Sequence, residues 1–582
     1  KINGKARFGI DAYVPNMVYG KIVPVPTRIG SSIESIDDTA AKQIDGYITT
    51  LPLNFPAAVQ RRVVSTALVI AENFPAAMRA SQLVKVKWKV SPSSNKTSAD
   101  FSKESHKILS SKSKGLSFIK DGNIDKAQKS AKETLEASYT TEMVGHASLE
   151  PQSALVQNVD GIWNVFAGCQ AGNVIRLILA GFLKTKPQNV IYHPHYIGGS
   201  FGGRIVPMPI ILAAVAAKAI KRPVKVIFTR EDDMSLQSPR SQTLQRLTAM
   251  FSQNGTVTGL KHDIVCGWVQ SSLGNVPTAD GKGKVEAFSV NGADHWYDIP
   301  NQHVTAFRNK FLEKVIPLGA VRSVSNNYTV FAVESFVDEI AHKLKKDPLS
   351  VRLELLTGKG KNAGSSPGKV SKHKFPLFFG IPGPAWKKWK FWPIYHPSGD
   401  VAGAKRLANV LRISTGHAGY GTRILPPDTA HGIAVTSAEE RSMPSFCACT
   451  AEVQVNRSSG DVLVKKFTVA IDVGLAVIPD GIKAQVEGSL LWGLSNSLFE
   501  QLTVKDGRFV QNNFDKYFWQ TIDKLPDMDI QIVENGIYPC GAGEPATSVV
   551  GAAIANAIYN AVAVRIRKLP IQRQDILNAL KT

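Results

Sequence analysis

The sequence predicts an α+β fold class spread over several domains, on three observations. The chain has 582 residues, 43% hydrophobic and 20% charged, a globular composition too long for one core, so two to four domains are expected. Short apolar runs bounded by turns, at 17–23, 46–51, 63–69 and 83–90, read as strands. Among them sit helical faces such as Val333, Phe336, Val337 and Ile340.

Residues 1–90 form a small α+β unit, with a short helix at 71–79 carrying Pro75 in its first turn. Residues 91–132 are rich in Ser and Lys and read as a solvated linker or surface excursion. In 133–356 a strand at 163–167, a strand at 190–192, a glycine-rich turn, an apolar helix to about 220 and a strand at 223–228 follow one another. A helix at 332–346 has acids early and lysines late, which suits the helix dipole, and Asp347-Pro348 closes it. Residues 357–400, rich in Gly, Lys, Pro and Trp, read as an insertion without assignable structure. In 401–582, strands around Val462–Asp472 lead to a helix at 484–498 and a final helix at 548–562.

Composition narrows the function. Five cysteines, an odd and small number, exclude a disulfide scaffold. No stretch reaches the ~18 apolar residues of a membrane helix. Lys plus Arg number 69 against 47 acids, which suits a nucleic-acid or anionic-membrane partner, or a basic soluble surface. The lysines cluster at 85–132 and 342–390 without a zinc-finger, helix-turn-helix or RNA-binding pattern, and nucleic acid is disfavoured. The first residue is Lys1 and no secretory signal precedes the fold. A trimmed chain that has lost any targeting signal is expected.

Two motifs carry chemistry. Gly198-Gly199-Ser200-Phe201-Gly202-Gly203-Arg204 lies between a strand and a helix. Its backbone N–H groups suit an anion, or the segment is a plain flexible turn. It fits neither the dinucleotide fingerprint nor the Walker loop. Cys540-Gly541-Ala542-Gly543-Glu544-Pro545 fixes a carboxylate between a glycine turn and a proline. Glu544 then acts as a general base, or it only compensates the dipole of the helix that follows. Gln170 suits a donor to an oxo ligand or is a surface glutamine. Arg322 suits stabilisation of developing negative charge or a structural ion pair. Cys447 and Cys449 alternate as in a strand and lack a partner pair at zinc spacing.

In this order the motifs resemble the molybdenum hydroxylases of the xanthine dehydrogenase and aldehyde oxidoreductase family, with an isoquinoline 1-oxidoreductase type of large subunit as the near match. The resemblance rests on 1–11, His146-Ala-Ser-Leu-Glu-Pro151, Gln170, Gly198–Gly203, 222–233, Arg322-Ser323, 331–339, Gln485-Val-Glu-Gly488 and Gly541–Pro545. It implies a hammerhead domain at 1–90 and two molybdopterin-binding domains at 133–356 and 401–582. It also implies molybdenum held by molybdopterin, in bacterial members usually the cytosine dinucleotide form, with no protein ligand to the metal. Gly198, Gly199, Ser200, Phe201, Gly202 and Gly203 would lie over the molybdenum site. Gln170 would hydrogen-bond an oxo group, Gln485 and the turn Gly541, Ala542 and Gly543 would hold the cofactor, Arg322 would stand near the substrate, and Glu544 would be the base.

Two departures matter. Arg204-Ile205-Val206 stands where purine-oxidising members carry a second Glu, which counts against purines. Ser200 replaces a usual glycine, so its backbone is expected to avoid positive φ. A segment that precedes the hammerhead in large subunits of this type is not in the sequence, so a separate chain is expected to supply it unless it was lost. Cys169, Cys266, Cys447, Cys449 and Cys540 cannot supply a plant-type two-iron cluster. An iron–sulfur ([2Fe-2S]) subunit is therefore expected as a partner, and the resemblance further implies a cytochrome c subunit carrying haem c at the periplasmic face of a bacterial inner membrane. The function expected is oxidation of an aldehyde to its carboxylic acid with water as oxygen source. The alternatives are hydroxylation of an N-heterocycle such as isoquinoline, or a non-catalytic anion- or nucleic-acid-binding protein.

Overall fold

The computed structural model describes residues 3–111, 114–269, 285–358, 403–438, 444–536 and 539–581. Three sheets organise it. The largest has seven strands in the order Val190–Pro194, Ile162–Ala167, Ser153–Val159, Val224–Ile227, Val18–Ile22, Thr66–Ala71, Tyr47–Leu53. Val18–Ile22 runs parallel to Val224–Ile227, with Val18 opposite Val224, and antiparallel to Thr66–Ala71. The first 90 residues thus share a sheet, and a buried core, with the segment that carries the glycine loop. Helix Met208–Ile220 covers this sheet and is apolar almost all round because nearly every side chain is buried.

The second sheet has six strands, from Lys568–Leu569 at one edge through Glu133–Thr141, Thr243–Phe251, Val257–Cys266 and Asn301–Arg308 to Leu116–Asp121. The third has four, Thr429–Ala438, Ser445–Val455, Val462–Asp472 and Asp527–Val533. Helix Pro545–Val562 packs on it so closely that a Cβ on Gly432 would lie 2.2 Å from the Ala553 carbonyl oxygen. That helix, helix Asn326–Lys343 and helix Gly403–Ala418 share one core with the four-stranded sheet.

Several expectations are corrected. Residues 91–132 are built as helix Ser98–Ser110, strand Leu116–Asp121 and helix Ile124–Ser130, not as a solvated linker. Thr97 and Asp100 form a capping box that starts the first helix, and Phe101 is its buried anchor. The helix expected at 71–79 is Phe74–Leu83, because the Asn73 side chain caps it by accepting from Ala76 N at 2.9 Å. The helix expected from 332 begins at Asn326, since its first turn is polar yet buried, Thr329 Oγ1 donating to Asn291 O at 2.6 Å. Asp347-Pro348 opens helix Pro348–Leu355, with Asp347 accepting from Ser350 N at 2.8 Å. The helices expected from 484 and 548 begin at Pro479 and Pro545, and helix Arg573–Leu580 follows the latter. Nearly all of the 357–400 insertion lies outside the described residues.

Candidate active site

The glycine loop follows strand Val190–Pro194 and precedes helix Met208–Ile220. Positive φ falls on Gly199 (+99°), Phe201 (+53°) and Gly202 (+103°), and Ser200 is not among the positive-φ residues. The serine therefore fits where a glycine is usual, and the strain sits on Phe201 instead. At Gly202 a Cβ would lie 1.6 Å from the Ala320 carbonyl oxygen, and at Gly203 it would lie 2.9 Å from the His146 ring. Only glycine permits that approach.

One acid ties the ends of this loop together. Glu150 Oε2 accepts from Gly198 N at 2.7 Å and from Arg204 Nη1 at 2.6 Å. Arg204 is 3% exposed, so the arginine that stands in place of a second glutamate turns inward to Glu150. Gln170 joins the same cluster. Its N–H donates to Arg204 O at 2.8 Å, and its Oε1 accepts from the Ser200 hydroxyl and from Arg204 N at 3.3 Å. A backbone N–H can only donate, so the amide oxygen faces the loop and Nε2 is left for a group that accepts.

Arg322 links the loop to the C-terminal motif. Its N–H donates to Phe201 O at 3.0 Å, its Nε to Gly543 O at 2.6 Å, and its Nη2 to both Gln485 O and Gln485 Oε1 at 3.1 Å. Burial lowers the pKa of its guanidinium, and the charge of Glu544 acts the other way. Ser323 and Val324 follow with φ of +73° and +41°, strained values for side-chain-bearing residues. Ser323 Oγ donates to Glu544 O at 2.6 Å.

Glu544 stands at the N-cap of helix Pro545–Val562, but its side chain makes no cap hydrogen bond. Its place at the helix N-terminus suits a dipole-compensating acid as well as a base, since the dipole acts without a cap hydrogen bond. Gly541 O accepts from Ser445 Oγ, Ala542 packs against the large core, and Ser489 Oγ donates to Gly543 O at 3.1 Å. The predicted catalytic and cofactor-binding residues therefore fall in two clusters, Gln170 with the loop and Gln485 with the 541–544 turn, joined by Arg322 and Phe201.

Sequence reasoning missed the roles of Glu150, Ser323 and Trp492. Phe201 packs on Trp492 with ring centroids 4.1 Å apart. Trp492 lies seven residues, two helical turns, after Gln485, a spacing that puts both on one face of helix Pro479–Leu498. The contacts of Glu150 with Gly198 and Arg204 span 48 and 54 residues, beyond the reach of local pattern. Cys447 and Cys449 are buried in strand Ser445–Val455, and burial pushes both thiols up.

Two family models, each described as a molybdopterin cofactor-binding domain, match the chain, one at residues 108–356 and the other at 415–526. The chain is 38% identical over 585 residues to a membrane-bound aldehyde dehydrogenase [pyrroloquinoline-quinone] of Gluconacetobacter polyoxogenes, covering 100% of this chain and 71% of that one. It is 26% identical over 596 residues to the isoquinoline 1-oxidoreductase subunit beta of Brevundimonas diminuta, covering 98% of this chain and 66% of that one. The fold matches the aldehyde oxidoreductase of Desulfovibrio desulfuricans with a TM-score of 0.77 at 16% identity, over 99% of this chain and 79% of that one. The chain thus spans about two thirds to seven tenths of the curated relatives named.

The residues fit a pterin cofactor on their own chemistry. Trp492 Nε1, Thr547 Oγ1 and Ser548 Oγ are buried without hydrogen-bond partners. Trp492 shares helix Pro479–Leu498 with Gln485, and Thr547 and Ser548 open helix Pro545–Val562 just after Glu544, so unpartnered polar groups of the kind that recognise ring nitrogens, carbonyls and phosphate lie on the elements that carry the predicted site.

Proposed function

Since the chain belongs to the molybdopterin-binding family of aldehyde oxidoreductases and xanthine dehydrogenases, we propose that it is the subunit in which an aldehyde is oxidised to its carboxylic acid with water as the oxygen source. The observation that carries the reading is the Arg322 bracket. It ties Phe201, Gln485 and Gly543 together and so fixes Glu544 against the glycine loop. The molybdenum–pterin group, when bound, supplies a Lewis acid and a two-electron acceptor. Glu544 takes a proton at its carboxylate, held in place by its backbone contact to Ser323. Gln170 offers Nε2 as a donor, oriented by Ser200 and Arg204. Phe201 and Trp492 cover the site with aromatic surface that excludes water. Glycines 198, 199, 202, 203, 541 and 543, with Ala542 and Gln485, hold the cofactor.

The molybdopterin reading is favoured over the quinone in the relative's name because both matched domains are molybdopterin-binding ones. The cytosine dinucleotide form of the cofactor is carried over from the resemblance. The five cysteines form no ligand set of plant-type spacing, so electrons are proposed to leave through an iron–sulfur subunit; the cytochrome c subunit after it is carried over from the resemblance. Among the described residues no helix is long and apolar enough to cross a membrane. Association with a membrane is favoured by the printed name of the membrane-bound relative, and its periplasmic face is carried over from the resemblance. A second reading, hydroxylation of an N-heterocycle, is favoured by the similarity to the isoquinoline enzyme subunit.

The test is dye reduction by the intact complex with a series of aldehydes and with isoquinoline, alongside molybdenum analysis. Aldehyde-dependent reduction with about one molybdenum per chain is expected. Reduction by isoquinoline alone would select the second reading. A complex free of molybdenum that still turns over would sink both.

A further inference from the structure

A cavity of about 90 Å³ opens beside the glycine loop, lined by Arg28, Arg62, His146, Gly202, Arg204 and Asp233 among others. Four arginines and one carboxylate, Asp233, stand in its wall. Arg28 is 4% exposed, and its three nitrogens donate to the carbonyls of Leu236, Gln60 and Arg61 at 3.1, 2.6 and 3.4 Å. Carbonyls satisfy the donors but do not neutralise the charge, and burial pushes this guanidinium down to about 9.

Arg204 gives Nη1 to Glu150 and keeps a buried Nε without a hydrogen-bond partner. Arg61 also borders the cavity and lies 4.0 Å from Glu313. Of the remaining titratable walls, His146 is pushed down to about 4 by burial and stays uncharged at neutral pH. Asp233 is the carboxylate in the lining, and burial pushes it up, against its charge. Its Oδ1 accepts from Gln152 Nε2 at 2.9 Å.

We propose that this arginine-lined cavity binds a small oxyanion, a carboxylate or phosphate, which supplies the counter-charge that Arg28 lacks there and an acceptor for the unpartnered Nε of Arg204. Its wall includes Gly202 and Gly203, so the occupant touches the backbone of the loop over the candidate active site. The proposal does not depend on which substrate the enzyme oxidises.

The test is thermal unfolding and calorimetric titration of the full chain with inorganic phosphate and, separately, acetate. Ionic strength is held constant with chloride. Each anion that binds raises the melting temperature saturably, and competition between the two shows which the site prefers; phosphate alone or acetate alone each supports the site and names its source. Arg62→Gln weakens binding about tenfold or more, the cost of one charged hydrogen-bonding group. Met208 also lines the cavity, is 6% exposed and is the first residue of helix Met208–Ile220. Met208→Glu places a built-in carboxylate there, at a helix N-terminus that favours it. It is expected to raise the anion-free melting temperature and abolish the response. Should Arg62→Gln fail to fold, Met208→Glu decides. Absence of saturable binding by either anion, or an undiminished response in Met208→Glu, would overturn the proposal. Both readouts are independent of turnover, so failure here and failure of the aldehyde reading are told apart.

Discussion

Arg322 Nε donates to the carbonyl oxygen of Gly543 at 2.6 Å, one residue before the carboxylate proposed as base. The same guanidinium reaches Gln485 with Nη2, and the Arg322 backbone N–H reaches Phe201. Three segments distant in sequence are thus tied to its own by one residue that is 9% exposed. A lysine has one nitrogen where this site uses two in fixed geometry.

Arg322→Lys is therefore expected to lower kcat at least tenfold and to destabilise the fold by about 2 kcal/mol, the scale of a charged hydrogen bond lost. Steady-state kinetics and urea unfolding of the complex check it. Wild-type kcat in this variant would show that the bracket does not set the position of the turn.

Glu544→Gln keeps the size of the side chain and removes its basicity. Turnover is expected to fall by a factor of about 100 or more while molybdenum content and the unfolding transition stay as in the wild type. Ser323 bonds the backbone oxygen of residue 544, a contact the substitution leaves in place. Unchanged turnover would move the role of base to another group.

Glu150 pairs with Arg204 at 2.6 Å where the side chains are 11% and 3% exposed. Glu150→Gln leaves a buried guanidinium without its carboxylate, at a cost of about 3–5 kcal/mol. Arg204→Met added to it is expected to recover part of that loss, since the uncompensated charge then disappears. A double-mutant cycle by urea unfolding measures the coupling. Strict additivity would mean that the pair contributes nothing as a pair.

How far these contacts were legible in the sequence depends on their range. Gly198–Gly203 and Gly541–Glu544 stand out because their function is local: turns that need glycine and a carboxylate next to a helix start. Strand Val462–Asp472 was readable by its alternation, and the helix before Ile220 by its apolar run after the glycine turn. The starts of helices Asn326–Lys343 and Pro479–Leu498 were not, because buried polar residues such as Asn326 and Thr329 carry no apolar signal. The Glu150–Arg204 contact was hidden for another reason. Both residues look like ordinary surface charges until strand pairing of Ser153–Val159 with Ile162–Ala167, and of the latter with Val190–Pro194, brings their segments together.

Acid should weaken the fold through His146. Its imidazole is 5% exposed, and burial, with Arg240 nearby, pushes it down to about 4 from an ordinary value of 6.5. The unfolded chain therefore takes up a proton at pH values where the folded one does not. Stability from this residue is complete above about pH 6.5 and is lost as pH falls toward 4, with a slope of about 1.4 kcal/mol per pH unit. His262, also buried and pushed down to about 3, adds in the same direction. Urea unfolding at a series of pH values is expected to show this decline, and His146→Gln should flatten it by about one proton. Glutamine can still donate to Ala320 O, which lies 3.3 Å from His146 Nε2, so the comparison isolates the charge. An identical slope in that variant would mean that the ring is protonated as readily in the fold as in the unfolded chain.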